Sequence, residues 1–112
     1  MGNQKCQKQK TEKVFFAGVS GCFYPFTLYP LEKDLPDSEA VYIFTRAENG
    51  SYDPIYIGQT CTLKSTISAH TKWVCVSRLF VNALYVHFEK DATVRKQIVS
   101  DLIEMQCPPC ND

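Results

Sequence analysis

The chain has 112 residues, of which 45% are hydrophobic and 21% are charged, and its 12 basic side chains balance its 12 acidic ones. This length and composition predict one globular domain with its own core and exclude two. No apolar run reaches the ~20 residues of a membrane-spanning helix, and the polar N-terminal segment lacks the features of a secretory signal. We therefore expect a cytoplasmic protein.

The charge is unevenly distributed along the chain. Residues 1–13 contain four lysines and one glutamate, which gives +3, so the remainder carries −3. We predict a flexible basic arm over 1–13 and a single domain over 14–112. The acidic domain argues against a strong duplex binder, which usually presents a basic face. A second interpretation of the arm is a lipid anchor, because it begins Met-Gly and offers Gly2 and Cys6 for acylation.

The first half of the predicted domain has the composition of extended structure. Residues 14–35 are rich in aromatic side chains and are interrupted by glycine and proline, which predicts one or two short extended segments packed on the core. The apolar segments "AVYIF" and "IYIG" follow as two strands. Asn49-Gly50 lies between them and is a strong turn signal, so we expect a hairpin with a loop longer than the minimum.

The pattern changes to helical spacing after the hairpin. Leu63, Ile67 and His70 would share one face of a helix, and Thr60 or Thr62 is the expected N-cap. The next residues, 71–81, are ambiguous, with a short helix around "VCVSRLF" as one interpretation.

The C-terminal part predicts a strand and then a longer helix. In "NALYVHFEK" the side chains alternate between an apolar face and a solvated face that includes His87. Asp91 or Thr93 would cap the last helix, and Pro108 with Pro109 would end it. Its apolar stripe is predicted to comprise Val94, Ile98, Leu102 and Met105.

Six cysteines are present, and we expect free thiols because no secretory signal is visible and the core is large enough without cross-links. Cys107 and Cys110 have the CxxC spacing of zinc ligands. His70 and Cys75 would complete a four-ligand set if the helical segment meets the C-terminus. A reduced C-terminal turn is the alternative interpretation of the CxxC.

Several motifs resemble those of the GIY-YIG nuclease superfamily. Ala40-Val41-Tyr42 stands where the family has Gly-Ile-Tyr, and Tyr56-Ile57-Gly58 matches the second motif. The ending also follows the family pattern, at Leu102, Ile103, Pro108 and Asn111. The resemblance covers residues 35–111. It implies an α/β (α+β) domain in which helices flank a small three-stranded antiparallel sheet.

The resemblance also implies a chemistry, the hydrolysis of a DNA phosphodiester at a single Mg²⁺ or Mn²⁺ ion. It assigns water activation to Tyr42 and assistance to Tyr56, and His70 matches a histidine often found at the end of the first helix. Phosphoryl transfer depends on positioning and charge neutralisation, and a hard cation prefers carboxylate and water oxygens. The implied nucleic-acid contacts are Tyr42, Tyr56, Gly58, Lys64 and His70.

Two charged groups of the family are replaced in this chain. The arginine of the first helix falls at Thr66, and the nearest basic residue, Lys64, lies about 200° away around a helix. The glutamate that binds the metal falls at Val99. Losing one charged stabiliser costs about 3–4 kcal/mol in other enzymes. We therefore predict a catalytically inactive member of the fold, in which Tyr42 and Tyr56 serve as a cross-strand packing pair.

Three functions remain open at this point. The first is an inactive binding module for a nucleic acid or a protein, which needs no cofactor. The second is a divergent endonuclease that recruits Mg²⁺ or Mn²⁺ ligands from Asp101, Glu104 or Glu89. The third is a small regulator or inhibitor that binds a larger enzyme.

Overall fold

The structure is a computed structural model that describes residues 13–30 and 34–111. The predicted arm therefore lies outside the described residues except for Lys13, and so do both acylation candidates, Gly2 and Cys6. The described residues form five strands: β1 (Lys13–Ala17), β2 (Phe23–Tyr29), β3 (Ala40–Glu48), β4 (Ser51–Thr60) and β5 (Ala83–Phe88). The helical elements are α1 (Leu63–Ser68), α2 (Trp73–Arg78), α3 (Ala92–Gln106) and a 3-10 turn at Pro109–Asn111.

The fold is a mixed α+β arrangement around one antiparallel sheet. The strand order is β1-β2-β5-β3-β4, so the expected three strands, β3, β4 and β5, are present but the expected total of three is wrong. The two segments predicted only as extended structure add β1 and β2 to the free edge of β5. Thr27 pairs with Val86 there, and this pairing satisfies backbone groups that an edge strand would leave open.

The β3–β4 hairpin is tighter than the sequence predicted. Glu48 pairs directly with Ser51, which leaves Asn49 and Gly50 as the only loop residues. Their φ angles are 51° and 81°, and two successive positive φ angles define the two-residue turn that matches strand twist. The expected longer loop is wrong because the residues on either side of the turn continue the ladder instead.

Each face of the sheet packs against its own set of helices. On one face, α1 and α2 supply Leu63, Ile67 and Val76 to a cluster that includes Tyr42 and Phe44. On the other face, α3 contributes the side chains of Ile98 and Leu102 to a second cluster with strand residues. Alternating side chains of β3 enter the two clusters, so this strand is buried on both faces.

The last helix begins and ends at the predicted residues. The carboxylate of Asp91 accepts hydrogen bonds from the backbone N–H groups of Thr93 and Val94, which confirms the N-cap. Cys107 ends the helix in the left-handed conformation. The predicted apolar stripe is wrong at its end, because Met105 is 52% exposed.

Two predictions about individual side chains are corrected. His87 is half-buried rather than solvated, because its Nδ1 lies 2.8 Å from the carbonyl oxygen of Pro25 and its ring packs on Phe26. Cys75 and Cys110 form a disulfide and are not free thiols. The 3-10 turn packs against α2 and brings their Cα atoms within 5.9 Å, a distance that a disulfide spans readily.

Within the described residues, every helix is too short or too polar to cross a membrane.

Candidate functional site

Tyr42 and Tyr56 come from neighbouring strands and point to the same face of the sheet. Tyr42 pairs with Gly58, and Tyr56 pairs with Phe44, so the two tyrosines are diagonal neighbours with ring centroids 6.2 Å apart. A Cβ atom at Gly58 would lie 2.6 Å from the Tyr42 hydroxyl oxygen. Glycine is therefore needed at this position so that the Tyr42 ring can lie across the backbone of β4.

His70 joins the two tyrosines from the loop that follows α1. Its Nε2 lies 2.7 Å from the Tyr42 hydroxyl oxygen, and its Nδ1 accepts a hydrogen bond from the backbone N–H of Lys72 at 3.0 Å. A backbone N–H can only donate, so the neutral ring carries its proton on Nε2. His70 therefore donates to Tyr42 and is not placed to take the hydroxyl proton from it.

The environment keeps both partners neutral. Burial, followed by the neighbouring Tyr56, raises the pKa of Tyr42. Burial, together with the nearby charge of Lys72, lowers the pKa of His70. A tyrosine with a raised pKa is a poor source of the phenolate that would activate water, so these shifts oppose general-base chemistry by Tyr42.

The Tyr42–His70 pair is enclosed by aromatic rings. The exposed fractions of Tyr42 and His70 are 2% and 8%. The rings of Phe44 and Tyr56 lie 5.1 Å and 5.0 Å from the imidazole, and Trp73 packs on Phe44 in turn. These contacts have the edge-on or tilted geometry that stabilises aromatic cores. The pair is therefore part of the protein core.

The two positions at which the resemblance leads us to expect charged residues lie on opposite sides of the sheet. Thr66 belongs to α1, and its hydroxyl lies 2.6 Å from the hydroxyl of Thr60. Val99 belongs to α3 and packs against the second core cluster, away from Tyr42. Neither position brings a charge to the tyrosines.

Two further residues, Gly58 and Lys64, are nucleic-acid contacts implied by the resemblance. Gly58 is buried beneath Tyr42. Lys64 is exposed, and its ammonium nitrogen lies 3.7 Å from a carboxylate oxygen of Asp34. Exposed ion pairs of this kind stabilise a fold little. The structure thus brings together Tyr42, Tyr56, Gly58 and His70, with Lys64 lying outside the cluster.

The carboxylates considered as substitute metal ligands have other roles or positions. Asp101 accepts hydrogen bonds from the backbone and hydroxyl of Ser20 and from the Tyr24 hydroxyl. These bonds lower the pKa of Asp101, and the hydrogen bond to Asp101, followed by burial, raises the pKa of Tyr24 to about 12. Glu89 accepts from the backbone N–H of Asp91, and Glu104 is exposed on α3. None of them lies in the Tyr42 cluster.

The suggested zinc ligands do not form a set. The sulfur atoms of Cys75 and Cys110 are joined to each other, and both ring nitrogens of His70 have partners. Cys107 remains an exposed thiol. Among the residues that the structure describes, no group of three histidine, cysteine, aspartate or glutamate side chains could hold a metal ion.

Asn111 has a role at this site that the motif alone did not reveal. Its side-chain Oδ1 accepts from the backbone N–H of Ile57 at 2.8 Å, and its Nδ2 donates to the carbonyl oxygen of Ile57 at 2.8 Å. Ile57 lies between Tyr56 and Gly58 on β4, the edge strand of the sheet. The C-terminal motif therefore holds the second tyrosine motif in place. Its presence in the resemblance was the only signal in the sequence.

Comparisons of the chain with models of protein families, with curated proteins and with solved structures return no significant match. The functional argument consequently rests on the residues and their geometry.

Proposed function

We propose that this chain is a catalytically inactive domain of the GIY-YIG type that acts by binding a nucleic acid or a protein. The burial of Tyr42 against His70 carries the proposal, because a residue that activates water must contact water. The proposed activity is thus recognition, and the tyrosine motifs contribute to folding.

The surroundings of Thr66 and Val99 support the loss of catalysis. The transition state of phosphodiester hydrolysis needs positive charge near the transferred group and a metal held by carboxylate oxygens. Thr66 offers a hydroxyl that is already paired with Thr60, and Val99 offers an apolar surface against the core. Replacement of both charged groups leaves Tyr42 and Tyr56 without the partners on which their role in an active relative depends.

The test of inactivity is a plasmid-cleavage assay with the full chain. Supercoiled plasmid should remain intact in Mg²⁺ and in Mn²⁺, and neither ion should raise the melting temperature of the protein. Tyr42→Phe is the matched control for contaminating nucleases, since any contaminant would cleave equally in both preparations. Cleavage by the wild type that Tyr42→Phe abolishes would contradict the proposal and support the divergent endonuclease.

The binding role is tested separately with the same preparations. Labelled single-stranded and duplex oligonucleotides measure nucleic-acid binding, and affinity capture with mass spectrometry measures stoichiometric protein binding. A chain that binds neither class of partner under these conditions would contradict the proposed recognition role.

A further inference from the structure

The disulfide between Cys75 and Cys110 joins one sheltered residue to one that lines a surface groove. Cys110 is 2% exposed and belongs to the core cluster on the α2 side of the sheet. Cys75 is half-buried on α2, where it packs against the outside of the same cluster. It also lines a groove of about 440 Å³. A small molecule in this groove therefore approaches the disulfide from the side of Cys75.

The groove follows one side of α2 and carries two cations. Lys72 precedes the helix, Cys75 lies in its first turn and Arg78 ends it. Residues spaced by three are neighbours on a helix surface, so a lysine and an arginine flank Cys75. Among the described residues that line the groove none is acidic, and the lining is completed by Thr71, Val74 and Leu79. A reagent beside Cys75 therefore meets positive charge on both sides.

Cations beside a disulfide favour its attack by a thiolate. The attacking group is an anion, and during exchange its negative charge passes along three sulfur atoms to the leaving thiolate. Fixed positive charge close to these atoms stabilises the charge as it moves. A reagent that carries a second negative charge gains a further attraction that a neutral thiol lacks. The disulfide thus selects a thiol, and the two cations select an anionic one.

We propose that the groove on α2 is a reaction site for a small anionic thiol that opens the disulfide at Cys75. The thiolate forms a bond to Sγ of Cys75 while the bond to Cys110 breaks, and Cys110 leaves as a thiolate that takes a proton from water. A second molecule of the thiol then attacks the sulfur of the first, which releases Cys75 as a thiolate. Two molecules of the thiol are oxidised to one disulfide, and the protein disulfide is reduced to two thiols.

The reaction separates α2 from the C-terminal turn, so the supply of such a thiol would control this cross-link. The inference goes beyond the proposed binding role and does not depend on it. A competing route starts from Cys107, an exposed thiol three residues before Cys110. Its thiolate would attack Cys110 and release Cys75 without an external thiol, but the burial of Cys110 opposes this route.

Charge selection is tested by the rates at which three small thiols open the disulfide of the full chain. Mercaptopropionate, mercaptoethanol and cysteamine carry a carboxylate, a hydroxyl and an ammonium group, respectively. Each rate is divided by the rate of the same thiol with a neutral small disulfide, which cancels differences in intrinsic thiol reactivity. The normalised rate of mercaptopropionate should exceed that of cysteamine roughly tenfold at low salt, and added salt should reduce the difference.

Substitutions in the groove test which residues supply the selection. Arg78→Gln should reduce the ratio of the mercaptopropionate rate to the cysteamine rate to about threefold, and a double variant with Lys72→Gln should bring it close to equality. Lys96→Gln is the matched control, because Lys96 is exposed on α3, which packs on the other face of the sheet. It should leave the ratio unchanged. Circular dichroism checks that each variant retains the fold.

The point of attack is tested by trapping the intermediate. Protein mixed with mercaptopropionate is quenched with acid, alkylated with N-ethylmaleimide and digested for peptide mass spectrometry. Early samples should carry mercaptopropionate on Cys75 and N-ethylmaleimide on Cys110. Cys107→Ser should give the same result at the same rate, because it removes the internal thiol and leaves the groove unchanged.

Four outcomes would overturn the inference. An air-oxidised chain without the Cys75–Cys110 disulfide would refute it directly. Equal normalised rates for the three thiols, or a ratio that Lys96→Gln lowers as much as Arg78→Gln, would remove the role of the groove. A mixed disulfide at Cys110 would place the attack elsewhere, and opening that Cys107→Ser abolishes would assign it to the internal thiol. Plasmid cleavage and partner binding enter none of these measurements, so the proposed function stands or fails separately.

Discussion

The side-chain amide of Asn111 hydrogen-bonds both the N–H and the C=O of Ile57, at 2.8 Å each. Ile57 lies on the edge strand of the sheet, where these backbone groups have no neighbouring strand. The amide therefore replaces one strand pairing and fixes the C-terminal turn to the second tyrosine motif.

Asn111→Ala should lower the free energy of unfolding by about 1–3 kcal/mol, because two backbone groups lose their partner in a half-buried position. Asn82 provides a matched comparison, since it makes the same pair of bonds to Ala47 at an exposed site. Asn82→Ala should cost less because water replaces the lost bonds. Urea denaturation measures the free energy of unfolding of both variants. Equal losses of free energy would contradict the explanation by burial.

Gly58→Ala should destabilise the protein by about 1–3 kcal/mol through overpacking. The added Cβ would lie 2.6 Å and 2.7 Å from the Oη and Cζ atoms of Tyr42, and 2.9 Å from the Tyr56 ring. The cost should be smaller in a Tyr42→Ala background, where the closest ring is absent. A double-mutant cycle of thermal or urea denaturation measures the difference. Strict additivity would mean that the clash with Tyr42 is not the cause.

Cys75→Ser should lower the free energy of unfolding by about 3–4 kcal/mol, the chain-entropy value for a cross-link between residues 35 apart. Reduction with dithiothreitol should have a similar effect on the wild type and none on the variant. Cys107→Ser is the control, because Cys107 is an exposed free thiol that lies close in the sequence to Cys110. A loss of stability with Cys107→Ser that equals that with Cys75→Ser would contradict the assigned pairing.

The stability of the wild type should decline as the pH falls below about 6.5. The pKa of His70 is lowered in the folded protein, so the unfolded chain binds more protons than the folded one in this range, which favours unfolding. His70→Gln should remove this decline, and His87→Gln, at the chain's other histidine, should leave it in place. Melting temperature against pH is the measurement. A decline that persists in His70→Gln would assign it to other groups.

A second decline should follow at lower pH, where Asp101 becomes protonated. The hydrogen bonds from Ser20 and Tyr24 hold its pKa below the ordinary value, so they stabilise the fold above about pH 3.8 and are lost as the pH falls through the folded pKa. Asp101→Asn should remove this part of the acid sensitivity. Tyr24→Phe should remove a smaller part, because two bonds from Ser20 would remain.

Local signals in the sequence predicted local structure well. Asn49-Gly50 marked the turn because both residues tolerate positive φ angles, and Asp91 marked the start of α3 because its carboxylate can accept from free N–H groups. The composition of residues 14–35 predicted extended segments but not the strand of the sheet with which they pair. Pairing of β2 with β5 joins residues far apart in the chain, and no neighbouring residue encodes that choice.

The sequence predicted which residues form the candidate site, but not that the site is buried. The motifs identified Tyr42, Tyr56, Gly58 and His70, and the structure places these four in contact. The spacing of residues could not indicate that aromatic rings from α2 and β3 enclose them. The sequence also left Asp101 open as a metal ligand. Its actual role is to accept hydrogen bonds from the β1–β2 turn, and that contact joins residues 81 positions apart, so local spacing could not indicate it.

The sequence by itself determined where the Asn49-Gly50 turn lies and where α3 begins and ends, because these follow from the φ preferences and side-chain chemistry of a few adjacent residues. It also showed Thr66 and Val99 at the two positions where the resemblance leads us to expect an arginine and a glutamate. Only the tertiary structure decided that Cys75 pairs with Cys110 and that Asn111 holds Ile57. Those relationships depend on which surfaces meet when the sheet and helices pack, and packing is a property of the whole chain.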